Sequence, residues 1–234
     1  MRESVFQRID AAVARGVCPV VVFDLDSTLF DTAGRHLQIL TEYAQAHQDT
    51  HPDLLACVRQ LSHDDFGWSV REPLTRSGYS NEAALAGLNT FWFERFFTHA
   101  YVVHDLPARG AVDFVREVHE RGALVYYLTG RHVEGMGAGT VEALTNAGFP
   151  MWRARCVLHL KPRYDMADKP FKQEAMQDIR SHLGEVVATF ENEPGNANAF
   201  LEAFEDAEHY LVGSVHSPDA ESPDPRLKVV ADFS

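Results

Sequence analysis

The sequence lacks most of the features that mark secreted, membrane-spanning or disulfide-stabilised proteins. Its three cysteines, Cys18, Cys57 and Cys156, are far apart and form no CxxC pair, which predicts reduced thiols. No uncharged stretch reaches the ~18 residues that a membrane span needs. The N-terminal segment carries Glu3 and Arg8, so we expect no signal peptide there. These absences predict a cytoplasmic protein.

Basic charge is also scarce. The chain has 21 Lys and Arg against 34 Asp and Glu, a net charge of -13 over 234 residues. Such a surface repels nucleic acids and anionic membranes, and we expect neither as a partner. No GxGxxG turn follows the first predicted strand, which argues against a dinucleotide-binding protein. The length suits one large domain or a core with an insertion, and it leaves the oligomeric state open.

What the sequence does contain is an apolar strand that runs into two aspartates. Residues 20–23 are apolar, and Asp24 and Asp26 follow directly. A continuous apolar run is typical of a strand that a parallel sheet buries on both faces. Residues i and i+2 of a strand point to the same side, so both carboxylates can address one ligand. Two anions this close are costly without a cation between them, and the pair therefore predicts a divalent metal.

Further apolar strands alternate with helical segments along the chain. Strands are predicted over residues 123–128, 156–160, 185–190 and 209–212, with an edge strand or docked tail in 227–233. Residues 33–103 have helical periodicity instead, interrupted by a predicted loop at 63–78. This pattern predicts an α/β fold with a Rossmann-like parallel sheet, built from 1–32 and 104–234, and a helical insertion at 33–103.

Polar residues at three strand ends and one helix start carry a resemblance to a known family. The stretches are Asp24-Leu25-Asp26-Ser27-Thr28, Leu128-Thr129-Gly130-Arg131, Lys172 at a helix start, and Glu191-Asn192-Glu193. In this order and spacing they resemble the four motifs of haloacid dehalogenase superfamily hydrolases of the phosphatase type. The carboxyl ends of parallel strands share one sheet edge, so these residues are expected to converge.

The resemblance implies a role for each motif residue. Asp24 is the expected nucleophile, which forms an aspartyl-phosphate. Asp26 is the expected general acid and then the general base. Thr129 and Gly130 are expected to bind phosphoryl oxygens. Lys172 is expected to offset the charge of nucleophile and phosphate.

Several assignments stay open at this stage. Lys169 is an alternative to Lys172 as the third-motif lysine. Thr28, Arg131 and Arg35 are candidate substrate-binding residues. For Arg131 a structural ion pair is an equally good interpretation.

The resemblance also implies a Mg²⁺ cofactor, because Mg²⁺ suits an all-oxygen site that keeps several waters. Its expected ligands are Asp24, Asp26 through its backbone carbonyl, Glu191 and Asn192. The fourth motif departs from the family, which usually has at least one aspartate there. Glu193 is therefore a further candidate ligand, and the neutral Asn192 predicts weaker metal binding.

The insertion at 33–103 corresponds to a helical cap of the C1 type, expected to close over the site and set specificity. Its aromatic stretch 88–97 is interpreted as packing between helices, with part of it as a candidate pocket lining. Together these features predict a Mg²⁺-dependent phosphatase for a small phosphorylated metabolite. A phosphomutase, or a non-catalytic phosphate-binding module on a degenerate core, are the alternatives.

Overall fold

The computed structural model describes residues 1–182 and 184–234 of the chain. Its strands are β1 (Pro19–Phe23), β2 (Phe30–Asp31), β3 (Leu106–Pro107), β4 (Leu124–His132), β5 (Cys156–Lys161), β6 (Glu185–Glu191), β7 (Glu208–Val212) and β8 (Lys228–Val230). Six of them form one parallel sheet in the order β5-β4-β1-β6-β7-β8. The predicted α/β class with a Rossmann-like parallel sheet is therefore confirmed.

Helices surround this sheet and fill the segment between β2 and β3. They are α1 (Arg2–Ala14), α2 (Ala33–Ala46), α3 (Pro52–Val58), α4 (Glu72–Arg76), α5 (Glu82–Leu85), α6 (Leu88–Phe96), α7 (His99–Val102), α8 (Ala111–Glu120), α9 (Val133–Ala147), α10 (Asp168–His182) and α11 (Pro194–Ala203). The helix predicted over 171–183 begins three residues earlier, at Asp168, and Leu183 lies outside the described residues. None of the described helices is long and apolar enough to cross a membrane.

Strand β1 is buried on both faces, as its unbroken apolar composition predicts. Val22 belongs to the core on one face, together with Phe171 of α10 and Phe200 of α11. Phe23 belongs to the core on the opposite face and contacts Phe114 of α8 edge to face. Because both faces of β1 are covered, packing holds the residues that follow it at a defined place above the sheet.

The helical segment has a hydrophobic core of its own, formed by α2 to α6. Its two ends meet where β2 pairs with β3 antiparallel, Phe30 opposite Pro107 and Asp31 opposite Leu106. The sequence did not predict this two-residue pair, because strands this short have no periodicity of their own. The pair fixes where the helical segment leaves and rejoins the sheet domain.

Two local predictions need correction. The loop predicted at 63–78 contains a 3₁₀ turn at His63–Asp65 and helix α4. Polar residues dominate there, but Leu74 is fully buried in the core of the helical segment, and this packing stabilises a short helix. Strand β4 also continues beyond Leu128 to His132, because it pairs with β5 as far as Lys161.

Candidate active site

Asp24 stands at the carboxyl end of β1, where its backbone N–H donates to the carbonyl of Phe190 at 3.0 Å. A tight turn follows: the amides of Thr28 and Phe30 both donate to the carbonyl of Leu25, at 3.1 and 2.9 Å. Ser27 takes a left-handed backbone conformation in this turn, with φ of 57°. The turn keeps Asp26 beside Asp24 and folds the chain back toward the sheet edge.

Lys172 of α10 bridges two buried carboxylates. Its Nζ lies 2.7 Å from Oδ1 of Asp24 and 2.7 Å from Oε2 of Glu191. Burial lowers the pKa of Lys172, but the two carboxylates outweigh it and hold that pKa above its ordinary value. Burial, followed by the charge of Glu191, raises the pKa of Asp24 to about 7 against the effect of Lys172. One cation thus faces two anions, and the cluster favours a further cation or a proton on Asp24.

Thr28 connects Asp24 to the fourth motif. Its Oγ1 lies 3.1 Å from Oδ2 of Asp24 and 3.3 Å from Oδ1 of Asn192. The amide nitrogen of Asn192 donates to the carbonyl of Val215 at 2.6 Å, which turns its oxygen toward Asp24. Two oxygens of different residues therefore converge within reach of one hydroxyl.

Both oxygens of the Glu191 carboxylate accept hydrogen bonds from other groups of the protein. Oε2 accepts from Lys172, and Oε1 accepts from the backbone amides of Asn192 and Glu193, each at 3.1 Å. Oε1 of Glu193 accepts from the amide of Ser217 at 2.7 Å. Asn192 is thus better oriented toward Asp24 than either glutamate.

These contacts allow a test of whether the residues suit Mg²⁺. The contacts bring a carboxylate oxygen of Asp24 and the amide oxygen of Asn192 close together, and both are hard oxygen ligands. Within residues 1–182 and 184–234, no three His, Cys, Asp or Glu side chains are arranged to hold a metal. A sparse oxygen set beside excess negative charge fits an ion that keeps most of its waters, and it fits a dedicated cage for a transition metal poorly.

Asp26 has different partners from Asp24. Its Oδ1 accepts from Nη2 of Arg35 at 2.9 Å and from Nε and Nη2 of Arg131 at 3.0 and 2.5 Å. Asp105 binds the same two arginines: Nε of Arg35 at 2.9 Å and Nη2 of Arg131 at 2.7 Å. The side chains of Arg35, Arg131 and Asp105 are fully buried, whereas that of Asp26 is 35% exposed.

This quartet of two arginines and two aspartates is neutral as a whole. Burial favours the protonated form of Asp26, but Arg131 and Arg35 outweigh it and hold the pKa of Asp26 well below its usual range. All three arginine contacts of Asp26 use Oδ1, and Oδ2 takes no part in them. The quartet also joins three parts of the fold: Arg35 lies on α2, Asp105 precedes β3, and Arg131 lies in β4.

The second motif lies near the carboxyl end of strand β4. Thr129 is buried, and its Oγ1 accepts from the amide of Arg131 at 3.2 Å. A Cβ on Gly130 would lie 2.5 Å from Oδ2 of Asp168, so only glycine fits this position without displacing that carboxylate. Asp168 in turn accepts from Nζ of Lys161 at 2.6 Å. Lys161 therefore places a second, mostly buried cation beside the motif.

A cavity of about 530 Å³ joins the strand ends to the helical segment. The sheet domain contributes Asp24, Asp26, Thr129, Gly130, Lys172 and Asn192, and the helical segment contributes His36, Gly67, Trp68, Trp92, Phe96 and Phe97. Nε1 of Trp92 donates to Nδ1 of His36 at 3.0 Å. Burial and the charge of Arg35 lower the pKa of His36 to about 3, so its ring is neutral.

The structure brings most of the predicted site residues to this cavity, with two exceptions. Arg35 is fully buried against Asp26 and Asp105, and Thr28 is buried between Asp24 and Asn192. Lys169, the alternative to Lys172 as the third-motif lysine, lies at the surface, where it forms an ion pair with Glu221 and is 47% exposed.

Sequence reasoning missed Asp105 and Lys161. Lys161 stands at the end of a parallel strand. A strand-end position is the signal that led to Thr129 and Glu191, so the same signal could have located Lys161. Asp105 carries no local signal. Its partners lie 70 and 26 residues away, and only the folded chain brings them together.

Comparisons with known proteins agree on the fold. A chain from Clostridium difficile, provisionally assigned as a phosphatase, has a TM-score of 0.56 and 12% identity, covering 90% of this chain and 93% of its own. A provisionally assigned haloacid dehalogenase-like hydrolase from Burkholderia xenovorans has a TM-score of 0.51 and 14% identity, covering 92% and 93%. A defluorinating L-2-haloacid dehalogenase has a TM-score of 0.51 and 14% identity, covering 92% of each chain. No family model and no curated protein sequence matches.

The chain thus has the fold of haloacid dehalogenase-like hydrolases, as its motifs predict. Proteins with this fold include phosphatases and dehalogenases, so the fold by itself assigns no reaction. The choice between those reactions has to come from the site.

Proposed function

We propose that this chain is a Mg²⁺-dependent phosphatase that hydrolyses a small phosphomonoester through a phosphoryl intermediate on Asp24. One observation carries the proposal: two carboxylates two residues apart line the same cavity but have separate partners. Asp24 contacts Lys172, and Asp26 contacts two arginines. By the motif resemblance, dehalogenases of this fold lack the second aspartate and need no metal, so Asp26 favours phosphoryl transfer.

The two carboxylates suit two successive steps. An oxygen of Asp24 attacks phosphorus, the bond to the leaving oxygen breaks, and that oxygen takes a proton from Asp26. Water then attacks the phosphorus of the aspartyl-phosphate and gives its proton to Asp26, which releases Asp24 and inorganic phosphate. In this proposal the hydroxyl of Thr129 and the N–H of Gly130 donate to phosphoryl oxygens, and Lys172 offsets the charge of those oxygens.

Asp24, Asn192 and the backbone carbonyl of Asp26 are the residues that would hold Mg²⁺. The bound ion supplies charge stabilisation for the transferred phosphoryl group. The excess negative charge around Lys172 supports this assignment, because Asp24 and Glu191 together outnumber their one cation.

The partners of Asp26 guide the choice of substrate for the first assay. Two arginines hold the pKa of Asp26 low, so its carboxylate is ionised and donates a proton to a leaving group reluctantly. p-Nitrophenyl phosphate has a leaving group that needs little protonation and avoids this difficulty. We expect turnover with Mg²⁺ and its loss in EDTA.

Substitutions test whether this turnover depends on the residues of the site. We expect Asp24→Asn to lose at least about 10³-fold in kcat, because the nucleophile is gone. Asp49→Asn, an exposed position after α2, is the matched control and should keep wild-type activity. Turnover that survives in Asp24→Asn, or none with any of a panel of phosphomonoesters, would contradict the proposal.

A phosphate-binding module without turnover is the second candidate. It is favoured by the contacts of Glu191, whose two oxygens are already engaged by Lys172 and backbone amides. Beryllofluoride with Mg²⁺ separates the two functions, because it mimics the aspartyl-phosphate. Tight trapping that needs Asp24 supports the phosphatase, and phosphate binding without trapping supports the module.

A further inference from the structure

The part of the cavity formed by the helical segment is almost entirely aromatic. Of the six residues that it contributes, five carry rings, and the sixth is Gly67. All of residues 33–103 are described, and none of their Asp, Glu, Lys or Arg side chains lines the cavity. A leaving group with several hydroxyls or a second phosphate would find few polar partners on this side.

Three of the rings form a compact cluster. His36 stacks on Trp92 with 5.7 Å between centroids and 10° between planes, and Phe96 lies 4.6 Å from Trp92. The indole N–H of Trp92 is already used by His36. Because the imidazole of His36 is neutral, the cluster has no net charge with which to attract an anion. It offers an apolar wall.

Two further aromatic residues line the cavity while remaining exposed. Trp68 is 51% exposed and makes no ring contact with any described aromatic side chain. Tyr164, in the connection between β5 and α10, is 45% exposed and contacts Phe97 edge to face at 5.1 Å. An exposed tryptophan beside a catalytic cavity leaves a large apolar surface uncovered, and such a surface is typical of a ligand-binding position.

We propose that the substrate carries a planar aromatic or heteroaromatic ring on its leaving group, and that this ring packs on Trp68 within the aromatic part of the cavity. This inference rests on the proposed phosphatase function, which places the phosphoryl group at Asp24. The cavity volume of about 530 Å³ lies within the usual range for small-molecule sites and accommodates a phosphate and a ring together.

The test compares two inert ligands that share a phosphonate and differ in the ring: phenylphosphonate and methylphosphonate. Their binding is measured by titration calorimetry with Mg²⁺ and by competition against p-nitrophenyl phosphate. We expect the wild type to bind phenylphosphonate about tenfold more tightly, the size typical of one aromatic contact with its buried area. Trp68→Ala should lose most of this preference and leave methylphosphonate binding unchanged.

Trp152→Ala is the matched control, because Trp152 is 78% exposed and does not line the cavity. It should keep the full preference, and Trp68→Phe should keep part of it. Equal binding of the two phosphonates by the wild type would overturn the inference, as would an unchanged preference in Trp68→Ala. Thermal unfolding of each variant checks that the fold is intact.

The same experiment separates this inference from the proposed function. If p-nitrophenyl phosphate is turned over but the ring brings no advantage, the phosphatase stands and the aromatic substrate class is wrong. If no phosphomonoester is turned over but calorimetry still shows the Trp68-dependent preference, the proposed reaction is wrong and the aromatic site stands.

Discussion

Replacing Asp24 by asparagine should make the metal-free protein more stable, although it removes the proposed nucleophile. Asp24 is buried beside Glu191, and its pKa is raised from 3.8 to about 7. At ~1.36 kcal/mol per pH unit of that difference, ionised Asp24 lowers the free energy of unfolding by about 4 kcal/mol. Asparagine has nearly the shape of the protonated acid and carries no charge, so it avoids this cost.

The sign of the pH dependence follows from the direction of the shift. A carboxyl with a raised pKa in the folded state keeps its proton longer there than in the unfolded chain. The wild type therefore loses stability as the pH rises from about 4 to about 7, whereas the Asn variant lacks this loss. The advantage of Asp24→Asn should grow by about 2–3 kcal/mol between pH 5 and pH 8.

Urea unfolding in EDTA at several pH values measures this difference, with Asp49→Asn as the control for an exposed aspartate. At pH 8 the full effect corresponds to a rise in Tm of roughly 8–16 °C for a chain of this size. Mg²⁺ should reduce or reverse the advantage, because it binds the wild-type carboxylate. A variant that is less stable than the wild type at pH 8 in EDTA, or a difference independent of pH, would refute the reasoning.

Three further substitutions test the other contacts of the site. Lys172→Met leaves Asp24 and Glu191 without their cation. In EDTA at pH 8 the free energy of unfolding should fall by about 3–5 kcal/mol, and this loss should shrink at lower pH because Asp24 takes a proton. Asp105→Asn leaves two buried arginines with one carboxylate, and urea unfolding should show a free energy of unfolding lower by about 3–5 kcal/mol. An unchanged free energy of unfolding would mean that charge does not hold the quartet together. Asn192→Asp adds a carboxylate beside Asp24, and the Mg²⁺ concentration for half-maximal activity should fall about tenfold, whereas no change would indicate that this side chain does not bind the ion.

Much of the fold could be predicted from local sequence. The unbroken apolar run before Asp24 indicates a strand buried on both faces, and the alternation of such strands with helices indicates a parallel sheet. The short pair β2–β3 and helix α4 could not be predicted in this way. Both are too short to have a period, and burial of residues such as Leu74 against distant partners decides their structure.

Some residues of the site, too, could be predicted from local sequence and others could not. Asp24, Asp26 and Thr129 could be located because each stands at a strand end, a position that a parallel sheet brings to one edge. The choice between Lys169 and Lys172 could not, since both lie in the first turns of α10, and only the direction of the helix decides which one meets Asp24.

The sequence by itself determined that two aspartates follow a buried strand, a pattern that predicts a cation near them. Only the tertiary structure decided that they have different surroundings. Asp24 shares one lysine with Glu191, and Asp26 shares two arginines with Asp105. The physical reason is that charge interactions depend on distance in space and on burial, and residues far apart in the chain set both.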